Sequence, residues 1–283
     1  MAPQNNLPAP NFKQPLAEVF GFLPTDMRPE AVQGRATKMC PFCNVKCTKV
    51  EIEDPLGVCS VNKDNNVIIT CPSRFRENWL IAKDAADFFF PNGAKWAALP
   101  EIRLKDEDGE SAGNIDMVLV QYNAQKQIVD FGALEVQAVY ISGNVRDPFA
   151  HYMHDPEGRS GMDWRSEPKY PRPDFLSSSR KRLAPQLITK GGIIHSWGKK
   201  SAVALDSHFY ATLPEMETVS KEEGEIAWLV YDLILVNGRY ELTRREVNYT
   251  RFDEALLTIT KKIPGEANEF ISKLQDKLNK RKL

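Results

Sequence analysis

The 283-residue chain has no glycine-rich phosphate loop, no Gly-x-Ser-x-Gly turn and no internal repeat. Those absences exclude the common nucleotide-binding folds, the serine hydrolases of the α/β type and the solenoids, so no nucleotide cofactor is expected. A long apolar run is missing too. The longest, Ile226–Val236, is interrupted by Asp232 and falls far short of the roughly 20 residues that cross a bilayer, so no membrane partner is expected. The opening MAPQNNLPAP carries no charged stretch followed by an apolar one, and a cytoplasmic protein is expected. Polar and proline-rich, residues 1–12 are expected to be disordered. There is no excess of charge of either sign: 37 Lys and Arg stand against 38 Asp and Glu, for a net charge of -1. That excludes a polycation but leaves room for a basic face beside an acidic site. Cysteine is absent from residues 1–39 and 72–283, which excludes a distributed disulfide framework.

What cysteine there is lies together, as Cys40, Cys43, Cys47, Cys59 and Cys71. Two residues between Cys40 and Cys43 let one tight turn aim both sulfurs at a single ion. Two further thiolates would close a tetrahedral site with no open position, hence a structural one, filled by iron or zinc. Cys59 and Cys71 are the natural second pair, with Cys47 a rival for any place. Residues 13–72 are therefore expected to form a metal-binding segment, stapled because its own core is small.

Residues 73–283 read as an α/β unit. A short helix is expected over Pro15–Gly21, ahead of the cysteines. Pro72 suits the first turn of a helix to about Phe90, with Phe75, Trp79, Ala82, Ala86 and Phe90 on one face. Asn114–Tyr122 and the segment from Gln127 alternate like strands around a NAQK turn, which predicts an antiparallel hairpin. Residues 143–176 show no period and read as a long functional loop. SSSRKRLAPQLITKG reads as a capped helix, KKSAVALDSHFYATL and GEIAWLVYDLILV as strands, and the tail as an amphipathic helix with Phe270, Ile271, Leu274 and Leu278 on one face.

Within the hairpin the polar residues stand out. Glu135 and Gln137 are two apart on a strand, so they share a face. Their neighbours are apolar, and an ionised glutamate among them is costly unless it is paired or binds a metal. Asp116, on the preceding strand, can approach Glu135. Two carboxylates and a backbone carbonyl make a hard oxygen site of the kind Mg²⁺ prefers, where a bound water becomes a nucleophile.

Asp116 followed by Glu135-Val-Gln137 resembles the PD-(D/E)xK nuclease signature with glutamine in the lysine position. With the cysteines ahead of it, the chain resembles the NotI-type restriction endonucleases, from Cys40 to about Val236. The resemblance implies a mixed central sheet flanked by helices, with an N-terminal metal knuckle. It implies Asp116 and Glu135 as ligands of one or two catalytic Mg²⁺, Gln137 in the place of the lysine, and Glu101 as an additional acid. It implies Cys40, Cys43, Cys59 and Cys71 as the iron or zinc ligands. The chain departs from the pattern in having Asn114-Ile115 ahead of Asp116 where a proline is usual, and in its fifth cysteine. Glutamine brings dipoles but no charge, so electrostatic work must fall on the metal, a second ion or a nearby cation.

Basic residues gather at Arg74 and Arg76, at Arg180, Lys181 and Arg182, at Lys199 and Lys200, and from Arg244 to Arg251. Beside an acidic metal site they are candidate phosphate clamps. Arg146, Arg159 and Arg165 on the long loop suit reading of guanine in the major groove. The resemblance implies the activity of a type II restriction endonuclease, hydrolysing double-stranded DNA as a homodimer with matching two-fold symmetry. Two alternatives stand beside it: a repair or defence nuclease with an iron–sulfur cluster on the four cysteines, and a non-catalytic zinc-knuckle DNA-binding protein.

Overall fold

A computed structural model describes residues 7–51, 53–261 and 264–281. The chain opens with strand β1 (Leu16–Val19) and helix α1 (Pro29–Thr37), then a two-stranded ribbon, β2 (Met39–Cys40) with β3 (Val45–Lys46). Strands β4 (Val58–Lys63) and β5 (Asn66–Ile69) complete a three-stranded antiparallel sheet in the order β1-β4-β5. A 3₁₀ turn (Pro72–Trp79) leads into helix α2 (Leu80–Phe89).

The meander β6 (Trp96–Lys105), β7 (Ser111–Tyr122) and β8 (Ile128–Gln137) then forms half of a six-stranded sheet. The small strands β9 (Tyr140–Ser142) and β10 (Arg172–Asp174) pair outside it, around helix α3 (Arg146–His154). A continuous helical stretch, 175–196, crosses back to β11 (Ser201–Asp206). There β11 lies parallel to β8 on one side and to β12 (Ile226–Val236) on the other. β13 (Arg239–Thr250) closes the sheet antiparallel to β12, giving the order β13-β12-β11-β8-β7-β6. This is the mixed central sheet flanked by helices that the resemblance implied. Its interior strands are apolar on both faces because both are covered. Helix α2 packs its Ile81, Ala82 and Ala85 on the face bearing Met117, Leu119 and Leu134. Gly132 is needed there, since a Cβ at this position would meet the Phe89 ring at 2.4 Å. The helical stretch 175–196 and the helix Phe252–Thr260 cover the opposite face with Leu183, Leu187, Ala255 and Ile259.

The N-terminal strands share these cores. Ala17, Val67 and Ile69 pack with Leu134, Ala202 and Leu229, while Leu16, Val58 and Ile68 pack with Val203 and Trp228. The buried Asp206 carboxylate accepts the Ile69 N–H at 3.0 Å, tying β5 to the end of β11.

Several expectations change. Pro15–Gly21 is not a helix, because Leu16 to Val19 are all buried and pair with β4 as a strand. The helix expected over 72–90 is broken at Glu77, Asn78 and Trp79. Glu77 turns extended, and its carboxylate is held by Arg74 Nη1 and the Leu242 N–H. Trp79 consequently faces solvent rather than the core. The long loop is partly folded, with Phe149 and Tyr152 of α3 buried. Of the tail expected to be disordered, residues 1–6 lie outside the described residues, but Asn11 donates to the Ser160 and Met162 carbonyls and Phe12 packs on the core. The terminal helix (Ala267–Asn279) forms, yet Phe270, Ile271, Leu274 and Leu278 are at least half exposed. Among the described residues no helix is long and apolar enough to cross a membrane.

Candidate active site

The acids come from neighbouring strands. The β7–β8 ladder ends at Met117 opposite Leu134, and one further step in the same register sets Asp116 level with Glu135. Asp116 also interrupts the ladder: its Oδ2 accepts the Val136 N–H at 2.8 Å. The two carboxyl groups are close enough for the charge of Asp116 to act on Glu135. In β6, Pro100 pairs with Met117 and Ile102 with Ile115, so Glu101 is level with Asp116. Three acids thus occupy one row across three strands. Glu101 has a left-handed backbone, φ 55°, a conformation costly for a non-glycine residue and concentrated at functional sites. Its side chain turns toward solvent and the cysteine cavity.

Glu135 is buried at 8 % exposure, and its Oε1 has no hydrogen-bond partner. Burial first, then the Asp116 charge, raises its carboxyl to about 8, against the lowering pull of Lys190. Lys190 is the residue that sequence reasoning missed. It lies in a wide π-helical turn (Leu187–Gly191), and its Nζ donates to Glu135 Oε2 at 2.6 Å and to the Asn114 carbonyl at 2.8 Å. No local signal marks it, since 55 residues separate it from Glu135. Gln137 shares the face of Glu135, is buried, and donates its Nε2 to the Ala138 carbonyl at 3.0 Å.

Among the described residues no three His, Cys, Asp or Glu side chains converge closely enough to hold an ion by themselves. A divalent ion at the acids would therefore rest on the two carboxylates, backbone oxygens and retained water, which is the habit of Mg²⁺. The unpartnered Glu135 oxygen fits that use.

All five cysteines are free thiols lining one cavity of about 280 Å³, together with Arg76, Lys49 and Glu101. Cys43 lies beside Cys40, and this neighbour, with Ser73 and Arg76, lowers the Cys43 thiol to about 5 against the effect of burial. Burial raises Cys59 and Cys47. Cys59 lies beside Cys71, and Cys47 lies near both Cys71 and Cys43. Like the acids, the five thiols do not converge as a ligand set among the described residues, although thiolates as such suit iron or zinc.

The candidate DNA contacts separate clearly. Arg74 is a correction: it is fully buried, with Nε 3.0 Å from both Glu18 oxygens and Nη2 2.8 Å from the Tyr240 carbonyl, so it cannot reach a phosphate. Arg76 turns to the cysteines, 3.9 Å from Cys43 Sγ. Arg146 pairs with Asp54 at 2.7 Å, Arg165 pairs with Asp163, and Arg159 donates to the His151 carbonyl at 2.7 Å. Lys199 pairs with Asp130 at 2.6 Å, and Lys200 lies 4.3 Å above the Phe88 ring. Arg180, Lys181 and Arg182 are exposed on the helical stretch that carries Lys190, with Arg182 over the Tyr140 ring.

A search among curated proteins finds no match. The family model described as restriction endonuclease NotI matches residues 23–242, taking in the cysteines, the row of acids and Lys190. That span is well over half of the chain, and the chain belongs to the NotI restriction endonuclease family.

Proposed function

We propose that this restriction endonuclease is divalent-metal-dependent, uses Mg²⁺ at Asp116 and Glu135, and cuts both strands of a symmetric DNA site as a homodimer. The observation that carries the reading is the pair of acids from adjacent strands, one of them buried with an oxygen left unpartnered. A carboxylate pair with one dry member is unfavourable by itself and becomes favourable around a cation.

Asp116 and Glu135 would hold Mg²⁺, which would supply a water of lowered pKa and positive charge for the developing phosphate anion. The chain's own residues arrange the rest. The Val136 N–H holds Asp116 in place, and the strand holds Glu135 beside it. Gln137 orients the attacking water by its amide once it releases the Ala138 carbonyl. Glu101 adds a third acid at the edge of the row. Arg180, Lys181 and Arg182 hold backbone phosphates, and the loop 143–176 reads base edges, with Arg146, Arg159 and Arg165 exchanging their protein partners for DNA. Cys40, Cys43, Cys59 and Cys71 hold a structural iron or zinc. A two-fold dimer brings two such sites to the two strands.

The test is digestion of unmethylated genomic DNA with Mg²⁺ or with EDTA, followed by sequencing of the ends. Discrete ends appear only with Mg²⁺, and Glu135→Ala abolishes them while DNA binding in Ca²⁺ persists. Undiminished cutting by Glu135→Ala refutes the assignment.

A further inference from the structure

The strand position that carries glutamine here has no charge to offer, yet a cation stands within the site. Lys190 reaches it from the helical stretch 175–196, on the sheet face that Glu135 shares with Ala133. Its two hydrogen bonds fix its place. One goes to Glu135 and the other to the carbonyl of Asn114. Asn114 lies two residues before Asp116 on β7. The ammonium group therefore joins the Glu135 carboxylate on β8 to the β7 backbone just ahead of Asp116.

The helix is built to deliver it. Two stretches, Ser179–Leu183 and Leu187–Gly191, have π-helical geometry on either side of Pro185. Proline cannot donate its backbone N–H, and a helix relieves that defect by widening. Wide turns of this kind recur at functional sites, where they re-aim a side chain. At 7 % exposure Lys190 is nearly dry. A buried lysine is costly unless its charge is used, and in a dry site that charge acts strongly.

We propose that Lys190 supplies, from the helix, the positive charge that position 137 of the strand lacks, orienting Glu135 and offsetting the charge that builds on the scissile phosphate. The proposal rests on the nuclease reading above. A structural lysine would only pin the helix to the sheet, and its charge could not be moved to another position.

Two measurements test this. The first needs no activity. Lys190→Met, Glu135→Gln and the double variant are melted in EDTA at pH 9. Lys190→Met lowers the midpoint in the native background, and by less than half as much when Glu135→Gln is already present. Additive losses overturn the contact itself. The second is single-turnover cleavage. Lys190→Met loses about 100-fold in rate or more, the scale of one lost electrostatic contact to a transition state, while DNA affinity in Ca²⁺ stays within threefold. Adding Gln137→Lys to Lys190→Met restores at least tenfold. Cleavage by Lys190→Met within threefold of the native rate, or no restoration by Gln137→Lys, overturns the proposal. A native protein that cuts no DNA at all refutes the nuclease reading and with it the catalytic role, while the melting cycle still decides whether the contact exists.

Discussion

Arg74 offers the sharpest test of the architecture, because its sequence context and its structural setting imply opposite roles. Its guanidinium has no exposed surface, and neither, within 1 %, has its partner Glu18. It donates to both Glu18 oxygens at 3.0 Å, to Glu77 at 2.9 Å and to the Tyr240 carbonyl at 2.8 Å, and it lies 4.3 Å over the Phe42 ring. It therefore joins β1, the cysteine ribbon, the 3₁₀ turn and β13. Replacing it by methionine keeps much of the volume but leaves Glu18 buried with only the Ser60 hydroxyl, which donates at 2.8 Å. Breaking a buried pair from one side costs about 3–5 kcal/mol, whereas removing both charges is often close to neutral. Arg74→Met should lose about that much in urea denaturation, and Arg74→Met/Glu18→Gln should recover more than half. DNA binding by the folded variant should keep its salt dependence. A loss below about 1 kcal/mol, together with a salt slope shallower by about one contact, would make Arg74 a phosphate ligand and refute the structural assignment.

The Glu135 carboxyl, raised to about 8 from its ordinary 4.5 by burial and then by Asp116, gives a pH dependence with a definite sign. Between those values the folded chain carries a proton that the unfolded chain has released, so in EDTA its contribution to stability falls as pH rises through the window and levels off above about 8. Glu135→Gln removes this contribution, and identical melting profiles from pH 5 to 9 for the two proteins would contradict it. The cysteine cavity predicts one equivalent of iron or zinc in the purified protein, measured by elemental analysis, that Cys47→Ser retains. Single serine substitutions at Cys40, Cys43, Cys59 or Cys71 lose it and lower the melting midpoint. Retention by any of these four, or loss by Cys47→Ser, changes the ligand set. Visible colour with inorganic sulfide indicates a cluster in place of a single ion.

The hairpin that holds the acids was readable because its information is local. Alternation fixes which face Glu135 and Gln137 share, and Asn123 Oδ1, accepting the Gln125 and Gln127 N–H groups, closes the turn within five residues. Two neighbouring strands were enough to bring Asp116 to Glu135. Lys190 was not readable, because in sequence it belongs to a basic, helix-forming stretch and only the crossover to β11 turns it inward. Arg74 misled for the converse reason. Its Arg-Phe-Arg setting looks like a charged surface, and its partner Glu18 lies 56 residues earlier. β1 was misread as a helix because a strand buried on both faces loses the alternation that identifies strands. Glu101 was legible as an acid ahead of the hairpin, while its left-handed backbone was not.

Because β1, β4 and β5 complete the packing on both faces of the large sheet, the cysteine-bearing segment is not a cassette. A chain beginning at residue 73 would not be a smaller nuclease. It would uncover Ala202 and Leu229 on one side and Val203 and Trp228 on the other, and would strip Asp206 of its Ile69 partner. Grafting this segment onto another enzyme would fail for the same reason, since the surface it needs is the recipient's own interior. Swaps between relatives should therefore be cut outside it, on the exposed side of the β9–β10 excursion, where a new loop can be accepted without reopening the sheet.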